Sequence, residues 1–236
     1  MSLSGFSITP EGPQITLALR TDMWRFWLAD AIDAAATALA ASGEIPELYK
    51  QFEAGDLAED ALDEVVVREL IASLRAISAA AFAIDAFYAS IKSRSPEHPD
   101  QAAWSKKRTA RYIQVSETIT RHLKINDSTI KTRIRTNIQA VFEYRDKAVH
   151  PPSEFYEAVY RSDLNVGLDR AFVMFRAENA VSAMGTAVDL LDYCVARMND
   201  GSPELAAYQQ GARKNMDVLL EKYDAAGVFP HYERAT

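Results

Sequence analysis

The spacing of apolar residues divides the chain into helices with few interruptions. Over residues 22–42, Trp24, Trp27, Leu28, Ile32 and Leu39 recur at helical intervals, and Gly43 supplies a stop. Two tryptophans so close together on one face read as core. Asp56 and Glu59 form a capping pair ahead of an unbroken pattern that runs to residue 92, with Leu70, Leu74, Ile77, Ala81, Ile84, Tyr88 and Ile91 as its buried stripe. The alanines of that stretch let another helix approach closely. Residues 93–100, which hold Pro96, His98 and Pro99, read as a loop with a solvated histidine. The next helix covers residues 101–124 and buries Tyr112, Val115, Ile119 and Leu123. Asn126-Asp127-Ser128 breaks the pattern and caps a helix with Ile130, Ile134, Ile138, Val141, Phe142 and Val149 on one face.

Beyond Pro151 and Pro152 the pattern predicts a connector through residue 167, with a turn of helix at 154–160. A long helix then covers residues 169–199, with Val173, Val181, Met184, Val188, Leu191, Val195 and Met198 as its seam and Gly201 past its end. Ser202-Pro203-Glu204 restarts a final helix to about residue 225, burying Leu205, Tyr208, Met216, Leu219 and Leu220. The tail through His231 reads as loose. At the other end, residues 6–19 place β-branched residues on either side of a Pro/Gly turn, which predicts a short hairpin. The fold class is therefore mostly all-α: a multi-helix bundle with a short N-terminal β-hairpin. We read one compact domain. Residues 1–55 supply the hairpin and a Trp-rich helix, 56–199 the bundle, and 200–236 a last helix and tail.

Composition narrows the class of protein. With 236 residues, 48% hydrophobic and 25% charged, the chain suits an ordinary soluble globular protein. No run of about 18 uncharged apolar residues predicts a membrane span, and no basic segment leads into an apolar core as in a secretory signal. A lone cysteine, Cys194, reads as a core residue, and a cytoplasmic setting fits it. The net charge of −7 is unevenly spread. Residues 1–105 carry 7 basic and 16 acidic side chains, 106–135 carry 9 and 2, and 136–236 carry 10 and 15. A basic segment inside an acidic chain suggests a local landing surface for a polyanion.

Candidate chemistry concentrates at the end of the helix that begins near Ser128. Arg145 lies seven residues beyond Ile138 and eleven beyond Ile134, within about 20° of their direction at ~100° per residue. A guanidinium on a face meant for burial needs a partner, and Asp85, bordering the stripe of an earlier helix, is a candidate counter-ion. His150 precedes a proline, which pushes it out of the helical region. No glycine-rich phosphate loop, Cys/His cluster of zinc spacing or nucleophile elbow is present, so neither a metal nor a cofactor is expected. An imidazole titrating near neutrality and a guanidinium that grips phosphate suit phosphodiester chemistry in RNA, whose 2′-hydroxyl is itself a nucleophile. Five residues along an unbroken helix would aim the two side chains roughly 140° apart. Convergence therefore requires a break at His150 or residues from two chains.

The stretch Arg145-Asp146-Lys147-Ala148-Val149-His150 resembles the arginine, polar residue, three variable positions and histidine motif of the HEPN superfamily (higher eukaryotes and prokaryotes nucleotide-binding). Ala83-Ile84-Asp85-Ala86-Phe87-Tyr88 is similar to the alanine-rich helix that often precedes it. The resemblance covers roughly residues 56–199. It implies a helical bundle that dimerises to bring two motifs into one cleft, and a metal-independent ribonuclease of the kind found as toxins, with an antitoxin protein as a further partner, or in phage defence. It also implies Arg145 as phosphate binder, His150 as general acid or base, and Asp146 as the residue that orients either. Lys147, Lys131, Arg133 and Arg135 are nominated as RNA contacts on charge alone. A second reading keeps the fold as a non-catalytic binding module, with Arg145 salt-bridged to Asp85 or another carboxylate and His150 capping its helix. A third takes the basic helices on either side of residues 126–128 as a DNA-binding helix-turn-helix using Arg108 and Arg111.

Overall fold

The computed structural model describes residues 5–9, 12–16, 21–150 and 157–232. Among them are eight α-helices: α1 (Trp24–Glu53), α2 (Glu59–Lys92), α3 (Gln101–Lys107), α4 (Arg111–His122), α5 (Ser128–Val149), α6 (Arg170–Met174), α7 (Ala177–Ala196) and α8 (Pro203–Ala225). Strands β1 (Gly5–Thr9) and β2 (Gly12–Thr16) pair antiparallel. A second antiparallel pair, β3 (Val159–Arg161) and β4 (Val166–Leu168), lies mid-chain and buries Arg161 against Glu69 of α2. The fold is mostly helical, as its periodicity predicts.

α2 is the axis of the bundle. It packs along α1 on one side and against α7, α5 and α4 on others. Alanines 72, 76, 79, 80, 81 and 83 are all buried, so neighbouring backbones approach it closely. One apolar core joins α1, α2, α4, α5, α7 and α8, and buries Trp24, Phe87, Ile119, Ile138, Met184 and Met216. Trp24 meets Phe87 edge-on at 5.6 Å and donates from Nε1 to the Tyr208 hydroxyl at 2.9 Å, so its polar atom is satisfied inside the core. By length and composition α2 could cross a membrane, yet more than half of its most apolar window is buried in the bundle. Cys194 is fully buried, and burial pushes its thiol up to about 12.

Several boundaries differ from those the sequence predicts. α1 does not stop at Gly43. It continues through Pro46 to Glu53, because Ala41 and Ile45 pack in a second apolar cluster with Leu62, Val65 and Val66. Gly55, just past the end of α1, has positive φ. Asp56 and Glu59 do not form a capping pair, since Ala58 occupies the cap position of α2 without a side-chain bond. The predicted helix over 101–124 is split by Arg108, which adopts φ 50°. The one over 169–199 is split at Phe175 and Arg176. Tyr160 belongs to strand β3 rather than a helical turn, while residues 151–156 lie outside the described residues. Other signals act where they stand. Asp127 accepts from the Ile130 N–H at 2.9 Å to cap α5, and Ser202 accepts from the Leu205 N–H at 3.2 Å to cap α8. The tail is not loose through residue 232, because Phe229 stacks on Tyr223 at 4.8 Å and the Tyr232 hydroxyl donates to Asp192 at 3.1 Å.

Candidate functional site

α5 is held by its inner face. Ile134, Ile138, Val141 and Phe142 are buried against the bundle, which fixes the rotation of the helix and hence where its last turn points. Arg145 continues that face at its margin. Its side chain is 21% exposed, and its guanidinium carbon lies 5.0 Å from the centre of the Phe142 ring. Nε and Nη2 both donate to one oxygen of Asp146, at 2.9 and 2.6 Å. A fork held on two of its nitrogens and seated on a ring is pre-oriented, and among the described residues Nη1 has no acceptor.

Asp85 is not the counter-ion of Arg145. It accepts instead from Arg111, from Nε at 2.8 Å and Nη2 at 2.7 Å, and that guanidinium lies over the Tyr88 ring. α4 packs on α2 at this point, so the Arg111 charge is already neutralised by a carboxylate of the helix beside it.

His150 has left the helix. It is the C-terminal cap of α5 at φ −122° and ψ 71°, and its N–H still donates to the Asp146 carbonyl at 2.8 Å. The ring is on an exposed residue one step past the last helical turn. Asp146 is thus the hinge of the motif, its carboxylate on Arg145 and its carbonyl on the His150 backbone. Val149 is 53% exposed rather than part of the buried stripe, because the helix end projects beyond the core. Lys147 is exposed, with Nζ 5.5 Å from the centre of the Tyr144 ring.

The other nominated cations do not form one track. Lys131 and Arg135 are one turn apart, whereas Arg133 lies about 200° round the helix from its position two residues earlier. Arg135 approaches Glu117 of α4 at 4.0 Å. Arg133 lines a small cavity with Asn137, Asp189, Tyr193 and Tyr232. Lys131 faces a different cleft, shared with His98 and His122.

That histidine pair escapes sequence reasoning altogether. His98 is not a solvated loop residue. It is 6% exposed and stacked on Trp104 at 4.4 Å, and it meets the edge of His122 at 6.1 Å. Its Nδ1 accepts from the Asp100 N–H at 3.2 Å, which leaves its proton on Nε2. Burial lowers the pKa of both imidazoles, and the nearby Arg121 charge lowers them further. His98 does lie in the expected loop, but the flanking prolines give no sign of its burial, and only the Trp104 six positions on hints at a ring to stack against. Among the described residues no group of three or more His, Cys, Asp or Glu side chains is placed to hold a metal ion.

No protein-family model, curated protein or solved structure matches this chain. The functional reading rests on the geometry above and on the motif.

Proposed function

We propose that the chain is a HEPN-type, metal-independent endoribonuclease that works as a homodimer, with Arg145 and His150 of two copies lining one cleft. The single observation that carries this reading is the end of α5: a half-buried Arg145 pre-oriented by Asp146, beside a His150 that has left the helix onto the surface. In this reading an imidazole takes the proton of an RNA 2′-hydroxyl. The 2′-oxygen attacks phosphorus and the bond to the 5′-oxygen breaks, leaving a 2′,3′-cyclic phosphate. The departing oxygen receives a proton from an imidazolium, which the second His150 of the dimer supplies. Arg145 holds the charge that develops on the phosphoryl oxygens. A toxin–antitoxin or phage-defence setting, with a protein antitoxin as partner, follows from the motif's resemblance alone.

The test compares purified wild type with His150→Ala on single-stranded RNA in EDTA. Cleavage by the wild type and none by the variant is the expected outcome; equal cleavage by both removes His150 from the mechanism. A second reading, a non-catalytic binding module, is favoured by the same Arg145, since its contacts to Asp146 and Phe142 also suit a purely structural side chain. It predicts that Arg145→Ala lowers thermal stability while no RNA is cut by any form. A DNA-binding helix-turn-helix has less support, because Arg111 is committed to Asp85 and Arg108 sits in the turn before α4 rather than on a helix face.

A further inference from the structure

His98 and His122 line a cleft distant from the end of α5. It measures about 660 Å³ and lies between the 93–100 loop, the end of α4, the turn leading into α5, and the start of α8. Its lining holds three cations, Arg121, Lys124 and Lys131, and the amide of Asn126. Within the described residues none of these four side chains has a hydrogen bond or ion pair. Two of the three carboxylates that share the cleft have partners, and the third, Asp100, faces the unprotonated Nδ1 of His98. Glu97 accepts from Gln101 at 2.8 Å, Glu117 lies 4.0 Å from Arg135, and Asp100 lies 3.9 Å from His98. The formal charges of the lining balance, yet four unpaired donor side chains face only one carboxylate without a donor.

The cleft is also built rather than incidental. Lys124 is held at φ 51°, with its N–H on the Arg121 carbonyl at 3.2 Å, and the next N–H, of Ile125, reaches the Thr120 carbonyl at 2.9 Å. These bonds fix the turn that presents Lys124. Gly201 closes the far wall so tightly that a Cβ there would sit 2.9 Å from the His122 carbonyl oxygen. His98 and His122 line the floor, and Trp104, outside the lining, stacks on His98. A rigid concavity with unpaired donors and two imidazoles matches an oligoanion.

We propose that this cleft is a phosphate-binding site, accepting either a small di- or triphosphate or consecutive phosphates of an RNA strand. Arg121, Lys124, Lys131 and Asn126 hold the oxygens, and His122 faces the bound charge. Lys131 stands fourteen residues before Arg145, about 21 Å along the axis of α5, so this site is separate from the cleavage site. It stands whether or not the chain cuts RNA. A bound anion favours the imidazolium, opposing the burial and the Arg121 charge that keep the two rings neutral, so binding tightens as pH falls through the range where His122 titrates. The groups that face this titration are His98, Arg121, Lys124, Lys131, Glu97, Asp100 and Glu117.

The experiment titrates inorganic pyrophosphate into the full chain labelled with ¹⁵N-histidine and follows the imidazole resonances. The expected result is a saturable shift of His122 and an upward move of its titration midpoint. The double variant Lys124→Gln/Lys131→Gln, which changes two exposed side chains, should bind roughly tenfold more weakly with an unchanged circular dichroism spectrum. Imidazole signals that stay put at about 10 mM pyrophosphate, a concentration that would fill even a millimolar site, overturn the proposal, and so does equal affinity in the double variant. An uncleavable 2′-O-methyl RNA oligonucleotide then separates the two sources. Displacement of pyrophosphate assigns the site to RNA phosphates, and co-occupancy assigns it to a free phosphate compound. Arg145→Ala should leave pyrophosphate binding intact, so failure of the ribonuclease reading shows up separately.

Discussion

Glu69 of α2 and Arg161 of β3 stand 92 positions apart in the chain and meet at 2.5 Å, with both side chains only 1% exposed. The pair does not stand alone. Arg161 also donates to Asp163 and to the Phe172 carbonyl, and the second Glu69 oxygen accepts from the Ala177 N–H at 3.1 Å. Glu69 therefore caps α7 from another helix, and this is why the predicted helix over 169–199 breaks at Phe175 and Arg176: the chain must turn to aim that N–H at the buried carboxylate. Removing one partner strands the other. Arg161→Met should cost about 3–5 kcal/mol in urea denaturation, whereas Glu69→Leu/Arg161→Met should recover much of that loss. A single variant that loses less than about 1 kcal/mol would mean that water reaches Glu69 once Arg161 is gone.

The same network marks what the sequence shows and what it hides. Helix content was legible because α2, α5 and α8 carry continuous apolar periodicity, and the caps Asp127 and Ser202 act through residues three positions away. Arg145 was legible as an anomaly on a buried stripe. Its partner was not, since a neighbouring carboxylate on the same turn, Asp146, won over Asp85 on α2. Asp85 was taken by Arg111, 26 positions on, a choice set by how α4 lies on α2. Gly43 reads as a stop because local propensity disfavours it inside a helix, yet the packing of Ile45 against α2 outweighs that local penalty. His98 was hidden for a related reason: its environment comes from α4 and Trp104, not from the prolines beside it.

The histidine pair makes acid stability predictable in sign. Both imidazoles have pKa values below the ordinary histidine value, chiefly through burial, so the unfolded chain binds these protons more readily than the folded one. Their contribution is full above the unfolded pKa of about 6.5 and is lost as pH falls through that value towards the folded ones. Melting temperature should therefore decline on acidification from pH 7 to 5, with a shallower slope in His122→Asn. A His122→Asn slope equal to that of wild type would place the acid sensitivity elsewhere.

Two glycines separate backbone freedom from steric need. A Cβ on Gly201 would meet the His122 carbonyl oxygen and the Leu205 Cδ1 atom, each at 2.9 Å, whereas one on Gly43 meets nothing within 4 Å. Gly201→Ala should destabilise by about 1–3 kcal/mol because a backbone contact cannot yield. Gly43→Ala lies at an exposed position inside α1 and should stabilise by roughly 0.5–1 kcal/mol. Chemical denaturation of both variants under one condition checks the opposite signs.

Asp146 separates a positioning role from a structural one at the motif. It is mostly exposed, so its pair with Arg145 contributes only about 0–1 kcal/mol to stability. Losing it nonetheless frees the guanidinium to rotate away from the direction in which Asp146 holds it. If Arg145 binds the scissile phosphate, Asp146→Ala should leave the melting temperature nearly unchanged while RNA cleavage falls by about 10²-fold, the scale of a misplaced catalytic group. Arg145→Lys should lose comparable activity, since an ammonium keeps the charge but not the fork that Nε and Nη2 form on one Asp146 oxygen. Steady-state cleavage measured beside thermal melting distinguishes the cases. Full activity in Asp146→Ala would release Asp146 from the mechanism, and parallel losses of activity and stability in Arg145→Lys would make the arginine structural.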